Sequence, residues 1–304
     1  MIRHFWLLFF LYFIVSMPLD TQGQRWKRYR HEVFAGVGVS NFLGELGGGE
    51  EEGRDFYDDL DFNATRPTFA VGYRYKLLSV VSLRGSLIYG RVNGNDANTE
   101  EFFRNNRNLH FRSPIVEVAA AAEVYFLKEN LSSKYKLRGV RGKLASNLSG
   151  YFFVGVGGFY FNPRAEYNGK WVSLQPLGTE GQGLREGTKK YSRIALAIPG
   201  GIGFKYTINK TWSLGIEYGL RKTSTDYIDD VSTTYYDNAA LRVENGDMAA
   251  DLADPSKTFA EGDKLYITGD GTQRGDSNDK DSYMFGFITL QYRFSQSKSN
   301  RPKF

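Results

Sequence analysis

The stretch VEVAAAAEVYF, residues 116–126, alternates between two kinds of side chain. Successive side chains of an extended strand point to opposite sides, so Val116 and Val118 share one face. Glu117 and Glu123 fall on the other face, among alanines. The pattern is typical of a strand with one apolar face and one face that holds charge.

Seven further segments show the same alternation or a glycine-rich variant of it. They are residues 32–43, 67–77, 81–89, 151–162, 193–206, 212–221 and 282–294. Strands of soluble sandwiches usually have about five or six residues, whereas a tilted strand needs about nine to eleven to cross a bilayer. Runs of the longer kind predict an all-β fold, an eight-stranded antiparallel transmembrane β-barrel of outer-membrane type.

Aromatic residues lie near both ends of the apolar faces. Tyr75, Phe126, Tyr206, Trp212 and Phe294 fall at one end, and Tyr89 and Tyr218 fall at the other. Two aromatic girdles around an apolar band are the pattern of outer-membrane barrels. Arginine, glutamate and glycine on the opposite faces are tolerated inside a small barrel but not in lipid.

The charged faces lead to a prediction for the lumen. Eight strands enclose an interior that side chains fill, so an open pore is not expected. Arg84 and Glu123 both point inward in this register, and buried charges need partners. We therefore expect the two residues to pair or to share a network with four other inward charges. These are Arg74, Glu117, Glu217 and Arg221.

The two ends of the chain differ from the middle. Residues 1–23 are expected to be a signal peptide, because a basic start precedes an apolar run, residues 5–17, that is too short to span a bilayer. A retained anchor is the alternative. Residues 24–294 form the predicted barrel and residues 295–304 a basic periplasmic tail. The sequence contains no cysteine, which excludes disulfides and a cysteine-based metal site.

The connections between the segments differ in length. Residues 77–80 and 207–210 are short, whereas the alternate connections are long. The long ones are residues 45–65, 92–110, 163–190 and 224–280. Outer-membrane barrels have short periplasmic turns and long extracellular loops, so the long set is expected to face outside. Residues 128–149 are the exception, because this connection is long yet falls on the periplasmic side.

Charge divides between these two ends, which the formal net charge of +5 hides. The outer loops are acidic, whereas the exceptional periplasmic connection is basic. Its predicted partner-binding residues are Lys134, Lys136, Arg138, Arg141 and Lys143. Such separation bears on partners rather than on fold, and it favours an acidic periplasmic partner. A harmless insertion, which loop entropy tolerates, is the alternative. Nucleic acid is not an expected partner, because the basic residues of an exported chain face the periplasm.

The outer-loop stretch TSTDYIDDVSTTYYDN, residues 223–238, contains Asp226, Asp229 and Asp230. Loop carboxylates are ligands for calcium, but the spacing is not that of an EF-hand. Solvation of the loop, or divalent bridging to lipopolysaccharide phosphates, is therefore the favoured interpretation. An enzyme site at the outer rim would use His110, yet no nucleophile is placed beside it. No catalytic residue, metal or cofactor is predicted.

Five segments together resemble one family. They are EVFAGVGVSNFLGEL (residues 32–46), FVGVGGFYFNPRA (153–165), WVSLQPLGTEGQG (171–183), IPGGIGFKY (198–206) and TDYIDDVSTTY (225–235). They are similar to segments of the small outer-membrane barrels of Bacteroidetes that include the type IX secretion protein PorG. The two loop segments, residues 171–183 and 225–235, are the most specific, because barrel physics does not dictate them.

The resemblance implies a non-enzymatic barrel of the bacterial outer membrane, in contact with outer-membrane lipid and lipopolysaccharide. It also implies a structured, wet loop at residues 225–235, folded against the LGTEGQG loop. The type IX branch of the family is associated with the periplasmic lipoprotein ring of the secretion and gliding machinery. An adhesin or a membrane-anchoring barrel without a secretion role is the alternative. The acidic insert, residues 238–281, and the tail depart from the family pattern.

Overall fold

The computed structural model describes residues 25–46, 65–98, 102–128, 147–257 and 268–295. The strands within these ranges are β1 (His31–Leu43), β2 (Arg66–Lys76), β3 (Val81–Asn95), β4 (His110–Leu127), β5 (Leu148–Phe161), β6 (Arg164–Tyr167), β7 (Lys170–Ser173), β8 (Ile194–Thr207), β9 (Trp212–Thr223) and β10 (Ser282–Phe294). The predicted signal peptide and residues 296–304 of the predicted tail lie outside the described residues.

Eight of these strands close into an antiparallel barrel. Around the barrel the order is β1, β2, β3, β4, β5, β8, β9 and β10, and β10 pairs with β1. Each of the eight segments predicted from the alternation coincides with one of these strands. The predicted eight-stranded antiparallel barrel is therefore confirmed.

The barrel has two unlike ends. The tight connections between β2 and β3 and between β8 and β9 lie at one end, which we call the turn end. The long connections lie at the other, which we call the loop end. The end of β4 and the start of β5, which the basic connection joins, also lie at the turn end. Residues 129–146 of that connection are outside the described ranges.

The outer face of the barrel is apolar. On β8, Ile194, Leu196 and Ile198 are 70%, 68% and 59% exposed. Exposed apolar residues occupy the outward positions of the other strands too, among them Val37, Phe69, Leu87, Val118, Val154, Ile216 and Ile288. The aromatic residues Phe126, Tyr206, Trp212, Phe294, Tyr89 and Tyr218 are also exposed on this surface. The predicted orientation of the strands is correct.

A folded cap covers the loop end. It consists of the described residues of the loop-end connections, which are 44–46, 65, 96–98, 102–109, 162–193, 224–257 and 268–281. They include α1 (Phe102–Arg107), the β6–β7 hairpin, α2 (Asn238–Asn245) and α3 (Asp247–Ala253). The hairpin is attached to the barrel where β6 pairs with β4, at Arg164 and Arg112. A small apolar core joins the hairpin and the two later helices. Its buried members are Ala165, Leu174, Leu177, Leu241, Ala249, Leu252 and Ala253.

Local capping defines the ends of α2. The Asp237 carboxylate accepts hydrogen bonds from the backbone N–H groups of Ala239 (2.9 Å) and Ala240 (3.3 Å), which satisfies donors that a helix start leaves unpaired. Gly246, with φ of +88°, follows the last residue. So short a helix depends on packing for its stability. None of the helices in the described ranges is long and apolar enough to cross a membrane.

Candidate functional site

The lumen near the turn end is organised around one carboxylate, Glu32 of β1. Its oxygens accept hydrogen bonds from Arg74, from Lys205 Nζ at 2.8 Å and from Arg293 Nε at 3.2 Å. These cations come from β2, β8 and β10, and all four residues are buried. Three cations around one anion keep every member of the group close to an opposite charge, as burial requires.

A second group of charges lies beside the first. Arg84 contacts Glu217 and lies 3.5 Å from Glu123, and Arg74 Nε lies 2.6 Å from Glu123 Oε2. The hydroxyl of Tyr151 donates to Glu217 at 2.8 Å. The prediction that Arg84 and Glu123 point inward and share a network is confirmed, with Arg74 and Glu217 as the other members. The predicted members Glu117 and Arg221 pair with each other instead.

Closer to the loop end, the lumen contains one further ion pair and a layer of rings. Arg221 Nε lies 3.5 Å from Glu117 Oε2, and the Tyr283 hydroxyl donates to the same carboxylate at 2.8 Å. The Arg221 guanidinium lies 4.6 Å from the centre of the Phe285 ring, which packs on Phe287. Charges and rings therefore fill the lumen at successive levels.

The cap is held together by Glu180, in the LGTEGQG loop. Its carboxylate accepts the backbone N–H groups of Ser232 (2.9 Å) and Thr233 (3.2 Å) and forms an ion pair with Arg274 at 3.0 Å. Arg274 also donates to the carbonyl of Asp230 at 2.6 Å. One buried carboxylate thus joins three separate segments of the chain.

Asp230 makes the second connection between the same loops. Its carboxylate accepts the hydroxyls of Thr179 and Tyr191, each at 2.5 Å. The Tyr191 ring stacks on Tyr227, with ring centres 4.4 Å apart, and on Phe161 of the barrel, 6.2 Å away. The loop containing Asp230 is folded against the LGTEGQG loop, as the resemblance implied, and a stack of rings continues from the cap into the barrel.

The expectation that the aspartate loop stays wet is wrong. Asp226, Asp229 and Asp230 are 2%, 1% and 1% exposed. Their carboxylates act as local acceptors: Asp226 accepts the Ser232 hydroxyl (2.7 Å), and Asp229 accepts the Val231 N–H (2.9 Å). Sequence reasoning equated charge with exposure, whereas local donors hold Asp226 and Asp229, and partners 51 and 39 residues away in the chain hold Asp230. Among the described residues, no three acidic or histidine side chains converge as a metal ion would require.

Burial also changes the acidity of the cap. It raises the pKa of Glu45 to about 7 and the pKa of Asp226 to about 6. The pKa values of Asp229 and Asp281 are raised well above their ordinary range by the same desolvation. The charge of Glu45 adds to the shift at Asp229, and the charge of Asp229 adds to the shift at Asp281. Asp281 accepts the N–H of Ile228 at 2.8 Å, so the group also fixes the backbone.

The other candidate residues of the sequence are His110 and the basic residues between β4 and β5. His110 Nε2 accepts the backbone N–H of Glu166 at 2.9 Å, and its ring packs edge-to-face on Trp171. The structure thus gives His110 a role in holding the β6–β7 hairpin. The predicted partner-binding residues all lie outside the described residues. They are Lys134, Lys136, Arg138, Arg141 and Lys143.

Several residues of the two networks were missed by the sequence reasoning. Glu32 and Arg293 lie at the very ends of the barrel sequence, where alternation has few residues to establish a face. Glu180 and Arg274 lie in loops, where no periodicity exists. The one sequence signal for Glu180 was its place in the loop segment that carries the resemblance.

Comparison with solved structures gives small barrels at low identity. The chain is similar to Ail, the attachment invasion locus protein of Yersinia pestis, with 12% identity, a TM-score of 0.37, and coverage of 88% of this chain and 99% of Ail. Neisserial surface protein A has 9% identity and a TM-score of 0.39, with coverage of 87% of this chain and 97% of that protein. The outer membrane protein OprG of Pseudomonas aeruginosa has 9% identity and a TM-score of 0.34, with coverage of 91% of this chain and 100% of OprG.

Comparison with sequences gives a family. No curated protein matches the chain significantly. One family model, described as "Domain of unknown function (DUF6089)", matches residues 7–251. The match covers more than half of the chain and includes seven of the eight barrel strands and most of the cap. The chain is therefore a member of the DUF6089 family.

Proposed function

We propose that this protein is a non-enzymatic, integral barrel of the bacterial outer membrane that acts as a structural component rather than as a conduit. The observation that carries the proposal is an apolar outer face around a lumen filled by paired charges. Lipid can surround the apolar outer face, whereas charged side chains are unfavourable in lipid and are placed in the lumen. A soluble barrel would have the opposite arrangement.

The size of the apolar surface supports this location. Soluble proteins rarely expose contiguous apolar patches larger than a few hundred Å². Here large apolar side chains such as Val156 and Leu196, each 68% exposed, occupy outward positions of all eight barrel strands. Transfer of such surface out of water contributes roughly 25 cal/mol per Å². A bilayer is the surrounding that makes these positions favourable.

The lengths of the connections support an orientation. With the short connections in the periplasm, the turn end faces inward and the capped loop end faces the exterior. The basic connection between β4 and β5 is then periplasmic, next to the strand ends at Leu127 and Leu148.

We further propose a role in a type IX secretion or gliding machinery, in which the basic connection docks an acidic periplasmic component such as a lipoprotein ring. Two observations support it: the resemblance of the five sequence segments and the concentration of positive charge in one periplasmic connection. The docking residues would be Lys134, Lys136, Arg138, Arg141 and Lys143.

A second candidate function is a surface role, as an adhesin or a membrane anchor for the cap. The observation that favours it is the cap itself, which has its own apolar core and its own helices. Plain connecting loops would not need either. This function would depend on the loop end and not on the periplasmic connection.

The location is tested by fractionation and by gel mobility. We expect the protein in the outer-membrane fraction, and we expect its mobility in detergent gels to change on boiling, because a closed barrel resists unfolding by detergent alone. Recovery as a soluble periplasmic protein would refute the barrel's proposed location.

The docking role is tested by replacing the five basic residues with Gln. The expected result is normal barrel assembly with loss of co-purifying periplasmic partners and impaired secretion. A control at the other end of the barrel replaces Lys189 and Lys222, exposed at the loop end, with Gln. Unchanged partners and unimpaired secretion in the five-residue variant would remove the docking role and leave the cap as the functional surface.

A further inference from the structure

Three arginines form a patch on the outer surface of the barrel at the loop end. Arg112 of β4 is directly paired with Arg164 of β6, and Arg91 of β3 is paired with Pro114, two residues from Arg112. Direct and diagonal neighbours on one face of a sheet lie about 5 Å and 7–8 Å apart. The three guanidiniums therefore share one area, which we call the arginine patch, and the charges of Arg91 and Arg164 both act on Arg112.

The arginine patch has no carboxylate that neutralises it. None of its three residues forms an ion pair with a carboxylate of the described ranges. Glu166, on the hairpin, is the acidic residue whose charge reaches Arg112. Lumen arginines such as Arg74 and Arg84 form ion pairs with carboxylates, and, among the described residues, the arginines of the patch do not. Partly exposed like charges of this sort favour an anion from outside.

One arginine is already oriented for such an anion. The guanidinium of Arg112 lies 3.7 Å from the centre of the Trp171 ring. A guanidinium stacked on an indole loses rotational freedom but can still donate through its edge. The fork of N–H groups on that edge matches the oxygens of a phosphate.

Along the barrel axis, the arginine patch lies at the level that lipid head groups would occupy. Arg91 follows Tyr89 by two residues on the same outward face, and Tyr89 pairs with Val116 in the exposed apolar band. At about 3.3 Å per residue, the backbone of Arg91 lies roughly 7 Å beyond that band. Aromatic residues of barrels mark the interface, so the patch faces polar head groups rather than acyl chains.

A shallow depression lies in the apolar band, on β3 and β4 and on the strands to either side of them. It measures about 970 Å³ and is lined by outward side chains that include Leu87, Val118 and Val156. Its floor is low because Gly85 of β3 and Gly158 of β5 have no side chain, and a Cβ built on either would meet nothing within 4 Å. The depression is open to the membrane side and apolar, which suits an acyl chain.

We propose that the arginine patch binds the phosphate groups of a phosphorylated glycolipid of the outer leaflet, lipopolysaccharide, and that the depression holds one of its acyl chains. The inference rests on the proposed function, because the patch faces this lipid only when the loop end lies outside the outer membrane. Two parts of one lipid, separated by the distance between head group and chain, explain two features that the barrel fold does not require.

The test uses the full barrel in detergent micelles and measures retention of defined lipids by native mass spectrometry. The probes are a bisphosphorylated lipid A, its dephosphorylated form and inorganic phosphate. We expect the variant Arg91→Gln, Arg112→Gln, Arg164→Gln to bind the bisphosphorylated lipid at least about tenfold more weakly, because each charge-assisted contact contributes on that order. The control variant Lys189→Gln, Lys210→Gln, Lys222→Gln removes the same charge elsewhere and is expected to bind as the wild type does.

Glycine substitutions test the depression separately. The variants Gly85→Leu and Gly158→Leu place side chains on its floor, where a Cβ meets no atom within 4 Å. We expect weaker binding of the acylated lipid with unchanged folding. Equal binding by these variants would overturn the acyl-chain part. Equal binding of lipid A by the wild type and the arginine variant, or equal retention of the dephosphorylated form, would overturn the phosphate part.

Two further outcomes keep this inference separate from the proposed function. Binding of inorganic phosphate as tight as that of lipid A would identify a site for free phosphate and overturn the lipid. The change of gel mobility on boiling, measured in every variant, reports the barrel itself. A wild type that has this mobility change and fractionates with outer membranes, yet shows no phosphate-dependent retention, refutes the lipid site alone.

Discussion

The Glu32 carboxylate contacts three cationic side chains inside the barrel. A single substitution of Glu32 therefore tests the lumen network. In Glu32→Gln the charges of Arg74, Lys205 and Arg293 would face one another without their shared anion. Removal of one partner from a buried ion pair typically costs about 3–5 kcal/mol. We expect a loss of that order in the free energy of unfolding, measured by urea titration in lipid vesicles. Glu166→Gln, exposed on the hairpin, is the control, and a similar small change in both variants would contradict the role given to Glu32.

The carboxylates of the cap predict a dependence on pH. Burial raises the pKa of Glu45 from 4.5 to about 7 and that of Asp226 from 3.8 to about 6. Since the folded values lie above the unfolded ones, the stability that these groups contribute is fully present below their unfolded pKa values and is lost as pH rises through about 6 to 7. We expect the cap to open more readily at pH 8 than at pH 5.

Hydrogen exchange of the amides of Ile228, Val231 and Ser232, corrected for intrinsic rates, measures this opening. The double variant Glu45→Gln, Asp226→Asn keeps acceptor oxygens but removes two of the buried ionisable groups. Asp229 and Asp281 remain, so its protection should change less between the two pH values than that of the wild type. Protection of the wild type that is equal or higher at pH 8 would show that burial does not control these groups.

At the scale of elements, the strands and the cap differ in how far the sequence predicts them. The alternation of Val116, Glu117 and Val118 repeats over a long strand, so many residues agree on one face. Helix α2 has eight residues, and its buried Leu241 gains its partners from a hairpin about seventy residues earlier in the chain. No local sequence pattern identifies these distant partners, and the stability of so short a helix depends on packing against them. The burial of Asp230 was missed for the same reason.

The contact between two cap loops gives a prediction at this scale. Gly181 has φ of +74°, and a Cβ added there would lie 2.5 Å from the Tyr236 ring. Gly187 has a similar φ of +78°, yet a Cβ there would meet nothing within 4 Å. Both Ala variants bear the backbone strain of a positive φ, but only Gly181→Ala also separates the loops. We expect faster proteolysis of the cap in Gly181→Ala than in Gly187→Ala, with the gel mobility of the barrel unchanged in both. Equal rates would show that strain alone matters.

For the whole molecule, the filled lumen predicts the absence of a large channel. Charges around Glu32 and Glu217 and the rings above them occupy the barrel interior at successive levels. Reconstituted in a planar bilayer, the protein should give no steady conductance steps of the size of a porin, which serves as the positive control in the same bilayer. Stable steps of that size in the wild type would contradict a structural role and favour transport. This part of the fold was predictable, because the number of strands determines the width of a barrel.

The pairing of β1 with β10 has a consequence for the order in which the protein is assembled. Glu32 and Arg293, which bond to each other, are 261 residues apart in the chain. During synthesis the first strand is made long before the last, so it waits with an unpaired edge until β10 arrives. An unpaired edge invites pairing with other chains, and contacts this distant form slowly. The chain must therefore be kept from premature pairing on its way to the membrane, and loss of β10 alone would leave two open edges where the complete barrel has none.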